Sequence, residues 1–587
     1  MPEFTPQDLL LDVQDLSIDV HHKKQSQRLI NNFSFQLHRR ETLCIAGESG
    51  SGKSLSSLAL MGLLPKSVHV SSGVAHYAGI DLFNLSKHNM QALRGNKIAM
   101  IFQEPMTALN PILTIEKQLC EVLSAHQYIS RQAVLARVYQ VMDAVYIPNV
   151  KERLKQYPHE LSGGMRQRVM IAMALLCKPD ILIADEPTTA LDVTIQAQIL
   201  SLLKELQQDF DTAVLMITHD MGVVAEIADN VVVLKKGSAV EHSSTVQLFE
   251  SPKHAYTQKL LDAVPRLGNA PKLTPPDNSA QSPILEVKDL TVRFDIRGGL
   301  LQRVQKRVHA VESISFSVMP GQICGVVGES GCGKSSTGRA LMNLVPYSGS
   351  IKIAGKDIQG LNSIQTKQSR TDAQMIFQDP YASLNPRKTV GELVAEPIII
   401  HALDAGQAVD DRVAELFSKV GLSPDLMKRY PHEFSGGQRQ RVCIARALSL
   451  SPKLIIADES VSALDVSVQK QVLELLQDLQ REQGMSYVFI SHDMAVVEQI
   501  CSKVAVMNRG RIVEIGPRDA IFNNPQHPYT QQLLSAVPIA DPRRRGHFEN
   551  VKKGDIPNPL KTANYVPEQV EYRKLGVEHL VLSTDVY

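Results

Sequence analysis

The stretch Gly47-Glu48-Ser49-Gly50-Ser51-Gly52-Lys53-Ser54 returns almost unchanged as Gly328-Glu329-Ser330-Gly331-Cys332-Gly333-Lys334-Ser335. A loop of the form G-x-x-x-x-G-K-[ST] turns consecutive backbone N–H groups inward around phosphate oxygens. It sends its lysine to the outer phosphates and offers its hydroxyl to Mg²⁺. The motif requires a strand before it and a helix after it. Both copies meet that requirement, since apolar runs at 42–46 and 322–327 lead in and helix-compatible stretches follow. The chain is therefore predicted to be α/β, with two strand–loop–helix units built on Lys53 and Ser54 and on Lys334 and Ser335.

The rest of the chain repeats as well. Ser162 and Ser435 stand 273 positions apart, as do Glu186 and Glu459 and also His219 and His492, whereas the two loop lysines stand 281 apart. The halves differ in length only between the loop and Ser162 or Ser435. A period this long marks a duplicated domain rather than a solenoid repeat. With 587 residues, of which 43% are hydrophobic, several cores can form.

Two strands are expected to end in carboxylates. Ile181-Leu182-Ile183-Ala184-Asp185-Glu186 and Leu454-Ile455-Ile456-Ala457-Asp458-Glu459 are continuous apolar runs, the pattern of a parallel strand buried on both faces. The carboxyl ends of such strands are where open α/β sheets bind ligands. Asp185 and Asp458 are placed as Mg²⁺ holders, Glu186 and Glu459 as the groups that polarise an attacking water.

Leu161-Ser162-Gly163-Gly164-Met165-Arg166-Gln167-Arg168 and Phe434-Ser435-Gly436-Gly437-Gln438-Arg439-Gln440-Arg441 each precede a long apolar helix-like run. A Ser-Gly-Gly helix start offers a hydroxyl, unhindered N–H groups and the positive end of a helix dipole. This resembles the signature of ABC-type ATPases. The other elements of that superfamily follow in order in both halves: Gln103 and Gln378, turns ending at Asp192 and Asp465, and His219 and His492. The resemblance implies two tandem ABC-type P-loop NTPase domains, each a RecA-like core with an antiparallel β flank and a helical subdomain. The helical parts are expected at 112–161 and 387–434.

It further implies that ATP is the ligand. Gln103 and Gln378 would sense Mg²⁺ and water, and His219 and His492 the γ-phosphate. Each ATP would lie between one half's loop and the other half's signature, Lys53 facing Ser435 and Lys334 facing Ser162. Because both glutamates, histidines and lysines are present, two working sites are expected. An aromatic ring that stacks adenine is offered by Phe294, whereas the first half shows only His21 near the matching place.

Narrower resemblance rests on Ile101-Phe102-Gln103-Glu104-Pro105-Met106-Thr107-Ala108-Leu109-Asn110-Pro111, its counterpart at 376–386, and the segments at 251–261 and 524–534 that contain His254-Ala255-Tyr256-Thr257 and His527-Pro528-Tyr529-Thr530. These are similar to ATPases of dipeptide and oligopeptide importers, a group that also serves nickel, glutathione and microcin C-type solutes. The His-Pro-Tyr-Thr segments themselves are expected to do no more than start a helix on their own domain. Implied partners are two membrane permeases and an external solute-binding protein, with the chain peripheral on the cytoplasmic face of the inner membrane. A soluble tandem ATPase acting on ribosomes is the alternative.

The remaining expectations concern boundaries and absences. The domains are placed at 1–264 and 284–540, with a Pro- and Ser-rich linker at 265–283 and a C-terminal extension at 541–587. The basic cluster Arg543-Arg544-Arg545 with Lys552 and Lys553 is expected to be a solvated face. Lys plus Arg at 62 against Asp plus Glu at 61 gives no overall basic footprint for nucleic acid. Seven cysteines without a C-x-x-C pair point to neither disulfides nor zinc. No cysteine follows Ile556-Pro557-Asn558-Pro559-Leu560, so no iron–sulfur cluster is expected. Cys332 is expected to be a small filler of the second loop, with its thiol close to bound nucleotide. No apolar run reaches the ~20 residues that a membrane-spanning helix needs, and a cytoplasmic chain is expected.

Overall fold

The computed structural model describes residues 8–22, 25–104, 108–188, 191–268, 282–298, 302–461, 464–546, 560–576 and 578–583. The segments 105–107, 269–281 and 547–559 lie outside them, and with them Pro105, Met106 and Thr107, most of the expected linker, Lys552, Lys553 and most of the Ile556–Leu560 stretch. Two compact units are present. The first holds Met1–Leu191, Ile195–Val264 and Pro538–Lys553; the second holds Asp192–Thr194, Pro265–Val537 and Gly554–Tyr587.

The core of the first unit is a six-stranded sheet in the order Ser238–Ser244, Asn230–Lys235, Thr42–Ala46, Ala213–Thr218, Ile181–Asp185 and Ile98–Ile101. All neighbours are parallel except the first pair. Strand periodicity explains why these runs are apolar throughout. Leu43, Ile45, Ile181, Ile183, Leu215 and Ile217 point into one core. Cys44, Ala46, Leu182, Ala184, Val214 and Met216, one position away, point into the other. The first of these cores is closed by the antiparallel flank Gln25–His38, Leu9–His22, Val68–Tyr77 and Ile80–Asp81. The second is closed by helices, among them Ile115–His126 and Arg131–Ala144 of the helical part and Gly163–Leu175 after the signature serine.

The second unit repeats the plan with additions. Its main sheet has eight strands, Ala373–Ile376, Leu454–Asp458, Ser486–Ser491, Ile323–Val327, Lys503–Asn508, Arg511–Pro517, His579–Leu582 and Tyr572–Gly576. Its flank has five, ending in Leu560–Thr562 beside Arg303–Val318. Three short strands from the chain's C-terminal part thus extend both sheets, which the sequence reading had not foreseen. Helices Val390–Ile400 and Gln407–Lys419 form the helical part.

The expected solvated basic face holds for Arg543, which is exposed and pairs with Asp541 at 2.9 Å. It fails for Arg545, whose Nε donates to the Ala225 carbonyl at 2.9 Å and whose Nη2 donates to the Ala228 carbonyl. These carbonyls lie at the C-terminal end of helix Met221–Ile227, the place where a cation is favoured, and that of Ala228 also accepts from the Thr245 hydroxyl at 2.7 Å. In the second unit Arg518 donates in the same way to the Glu498 carbonyl, 3.3 Å away, at the end of helix Met494–Ile500.

Among the described residues no helix is long and apolar enough to cross a membrane.

Candidate functional site

Each phosphate loop leaves the central strand of its sheet through a glycine that nothing else could replace. Gly47 has φ 149° and Gly328 φ 150°, and a Cβ there would sit 2.3 Å from the Leu234 carbonyl oxygen or 2.1 Å from that of Met507. Gly52 and Gly333, at φ 101° and 109°, cap helices Lys53–Leu60 and Lys334–Leu341 in the left-handed region. The lysine side chains are buried and fold back over their own loops. Lys53 Nζ donates to the Gly47 and Glu48 carbonyls at 2.7 and 2.9 Å, and Lys334 Nζ to those of Gly328 and Glu329 at the same distances. Cys332 is buried in the second loop, in keeping with the small filler expected there, and burial pushes its thiol up to about 11, which leaves it inert.

Beside each loop lie the predicted acids. Ser54 Oγ donates to Asp185 Oδ1 at 2.9 Å, and Ser335 Oγ to Asp458 Oδ1 at 2.9 Å. Burial pushes the Asp185 carboxyl up to about 6, against the Ser54 hydrogen bond and with help from the neighbouring Glu186 charge. Asp458 is raised by burial in the same way. A half-buried hydroxyl beside a buried carboxylate whose charge is penalised by burial is suited to a hard divalent cation. Among the described residues no cluster of three or more His, Cys, Asp or Glu could hold a metal alone. That donor set fits Mg²⁺, which keeps several waters and takes its other oxygens from phosphates.

The strands end at Asp185 and Asp458, one residue short of the reading that placed both acids on them. Glu186 and Glu459 turn off the strand at φ 46° and 45°. Their N–H groups are held by the Ile217 and Ile490 carbonyls at 2.9 and 3.0 Å. A non-glycine residue in this region carries strain of about 1–3 kcal/mol, the kind stored at functional sites.

Their side chains are clamped from two sides. Gln103 Nε2 donates to Glu186 Oε2 at 2.9 Å and Gln378 Nε2 to Glu459 Oε2 at 2.7 Å. His219 Nδ1 lies 3.0 Å from Glu186 Oε1, and His492 Nδ1 lies 3.4 Å from Glu459 Oε1. Burial disfavours both imidazolium forms, yet the hydrogen bond and charge of the glutamate outweigh it and raise both histidine pKa values. Conversely, burial works against the Glu459 carboxylate but His492 and Lys334 hold its pKa below the usual range. The structure thus gathers loop, Ser–Asp pair, Glu, Gln and His at the carboxyl ends of the strands in each unit.

The signature serines start helices as expected. Ser162 caps Gly163–Leu175 by accepting from the Met165 N–H at 3.3 Å, and Ser435 caps Gly436–Leu448 by accepting from Gln438 N–H at 3.4 Å. Gln438 returns the bond to the Ser435 N–H at 3.1 Å, a capping box that Met165 cannot make. Gly163 and Gly436 leave their helix starts open, while a Cβ on Gly164 or Gly437 would overlap Ile195 or Val468. Phe294, offered for adenine, is partly exposed on strand Leu285–Gly298. In the first unit His21 stacks on His69 with ring centroids 4.4 Å apart.

Two residues at the site escaped the sequence reading. The Glu48 N–H donates to Tyr256 Oη at 3.2 Å, and the Glu329 N–H to Tyr529 Oη at 3.1 Å. Both tyrosines belong to the His-x-Tyr-Thr segments. Those segments do start helices, capped by His254 and His527, but they also reach the phosphate loop. The only advance signal was their presence at matching places in both halves.

Residues 30–189 and 311–462 match the sequence family described as ABC transporter. Residues 240–288 and 513–564 match the oligopeptide/dipeptide transporter C-terminal region. The glutathione import ATP-binding protein GsiA of Pectobacterium atrosepticum is 50% identical over 98% of this chain and 97% of its own length. That of Escherichia coli K12 is 50% identical over 97% and 96%. Among solved structures, the dimeric ATP-binding cassette MJ0796 bound to ADP and Pi has 26% identity and a TM-score of 0.37, covering 40% of this chain and 98% of its own.

Proposed function

This chain belongs to the ABC transporter family and is an ATPase, and on that premise we propose that it energises the import of a peptide-like solute through a membrane permease. The observation that supports this most is the pair of complete sites, each with its own lysine loop, Ser–Asp pair and clamped glutamate. The names of the relatives favour a glutathione-like or short-peptide solute. The ribosome-associated alternative finds no support among them.

In the proposed cycle N–H groups of the loops at 47–54 and 328–335, other than those of Glu48 and Glu329, receive the ATP phosphates. Lys53 and Lys334 leave the loop carbonyls for the β- and γ-phosphate oxygens. Mg²⁺, held by Ser54 with Asp185 and Ser335 with Asp458, would neutralise phosphate charge, and Gln103 and Gln378 would contact its water shell. Glu186 and Glu459 orient and polarise the attacking water, each aimed by the glutamine and histidine on either side, and the pKa of Glu459 is held below the usual range by His492 and Lys334. His219 and His492 contact the γ-phosphate once it is present. Ser162, Gly163 and Gly164, with Ser435, Gly436 and Gly437, offer helix N-termini to the γ-phosphate. The partners we propose are two permease subunits and an external solute-binding protein, with the chain peripheral on the cytoplasmic face of the inner membrane.

The test is to tag the chain, solubilise native membranes in mild detergent and identify by mass spectrometry what purifies with it. Two integral permeases would uphold the importer reading and supply the subunits for a transport assay with glutathione and short peptides. Ribosomal proteins without permeases would overturn it.

A further inference from the structure

The His-x-Tyr-Thr segments are motifs to which hydrolysis assigns no task, yet their tyrosines touch the phosphate loop. The geometry occurs twice in independent settings. Tyr256 and Tyr529 are 273 positions apart while Glu48 and Glu329 are 281 apart, so the contact persists across the length change that separates the halves. In each unit the tyrosine is delivered by the same construction. Glu241 accepts from the Lys253 and His254 N–H groups at 2.8 and 3.0 Å, and Glu514 from those of Gln526 and His527 at 2.9 and 3.0 Å. The histidine Nδ1 then accepts from the tyrosine N–H at 3.1 Å in both. A strand carboxylate, a histidine cap and a short helix together aim one phenol at the loop.

What the phenol holds is one end of a peptide plane. The Gly47 carbonyl and the Glu48 N–H belong to the same rigid amide. Its oxygen is bound by Lys53 Nζ at 2.7 Å and its N–H by Tyr256 Oη. The Gly328–Glu329 amide is held identically by Lys334 and Tyr529. When the lysine leaves for a phosphate, the oxygen end is released. The preceding glycine is the residue whose backbone can rotate most freely. A hydroxyl on the N–H end is then what keeps the amide from turning.

We propose that Tyr256 and Tyr529 are positioning residues for ATP: each locks the first peptide plane of its phosphate loop so that the loop stays shaped for phosphate when its lysine departs. This rests on the reading of the two loops as the nucleotide cradles. The hydroxyl acts on the loop and not on the reacting atoms, so it governs binding rather than the hydrolytic step. Burial and the nearby Glu329 charge keep the Tyr529 phenol protonated throughout.

The test uses the full chain with Tyr256→Phe, Tyr529→Phe and both together, which keep the ring and remove only the hydroxyl. A lost hydrogen bond of this kind corresponds to about 2- to 10-fold in affinity. The expected result is that KM for ATP and the Kd for mant-ATP rise by that factor, with kcat within about twofold of wild type and an unchanged Tm without nucleotide. Unchanged KM and Kd would overturn the proposal. So would a kcat loss at constant KM, or a fall in Tm that accounts for the affinity change. Lys53→Ala with Lys334→Ala serves as the separate check on the cradle reading: if that variant binds mant-ATP like wild type, the loops are not the nucleotide site and the tyrosines' role falls with it. If it loses binding while the tyrosine variants keep wild-type affinity, only the tyrosine proposal fails.

Discussion

Asp185→Asn should make the nucleotide-free protein more stable, and more so the higher the pH. The Asp185 side chain is 5% exposed, and burial raises its pKa from 3.8 to about 6. For an acid whose folded pKa lies above its unfolded one, the folded state binds the proton more tightly. Its charge therefore costs nothing below pH 3.8, costs increasingly as pH rises to 6, and costs a constant amount above that. A shift of about 2 units at about 1.4 kcal/mol each makes that plateau about 3 kcal/mol at pH 8, and about 1.6 kcal/mol at pH 5. Asparagine removes the charge while its Oδ1 still accepts from Ser54 Oγ. At about 2 °C per kcal/mol for a unit of this size, Tm in EDTA should rise by about 6 °C at pH 8 and by about 3 °C at pH 5. With Mg²⁺ and ATP the order should reverse, because the wild-type carboxylate then has its cation. The measurement is a set of melting curves at both pH values with and without Mg·ATP. A variant no more stable than wild type at pH 8, or a gain independent of pH, would refute the argument that this carboxylate sits in the fold at its own expense to await a cation.

Replacing both Glu186 and Glu459 by glutamine should leave ATP binding intact and lower turnover by at least about 100-fold, because the amide keeps the clamp but cannot polarise water; phosphate-release kinetics and mant-ATP titration read the two effects separately. Gly50→Ala and Gly47→Ala should differ sharply: at Gly50 a Cβ meets nothing within 4 Å and only φ strain of about 1–2 kcal/mol arises, whereas at Gly47 the overlap with the Leu234 carbonyl adds about 1–3 kcal/mol and moves the loop. Equal Tm values for the two variants would contradict this. Arg545→Ala should free the end of helix Met221–Ile227 by about 1–3 kcal/mol, visible as faster amide hydrogen exchange across that helix but not across Met494–Ile500, where Arg518 serves instead.

Much of this site was legible because its chemistry is written in short contiguous runs. The loop glycines, the apolar strands ending in Asp, and the Ser-Gly-Gly helix starts each fix their local conformation within about ten residues. The structure then brings together the groups that periodicity had placed at the same strand ends. What could not be read depends on distance or on a single dihedral. The Tyr256–Glu48 contact spans 208 positions and Tyr529–Glu329 spans 200, so nothing local announces it. The left-handed turn at Glu186 has no composition signal, since no glycine or asparagine stands there. Arg545 read as one more basic surface residue because the carbonyls that it binds lie more than 300 positions earlier. The strands at 560–562, 572–576 and 579–582 are three to five residues long, and only the last is mostly buried, so they are too short to separate from a tail.

Pro538–Lys553 belongs to the first unit although it is made after nearly all of the second. At about 5–20 residues per second of synthesis, the stretch between Val264 and Pro538 takes roughly a quarter of a minute to a minute to emerge. For that interval the first unit exists with the carbonyls of Ala225 and Ala228 awaiting their guanidinium. Its final form is therefore delayed until Pro538–Lys553 has been made. A shortened transcript would yield a first unit that has every residue of its ATP loop and still lacks its last piece.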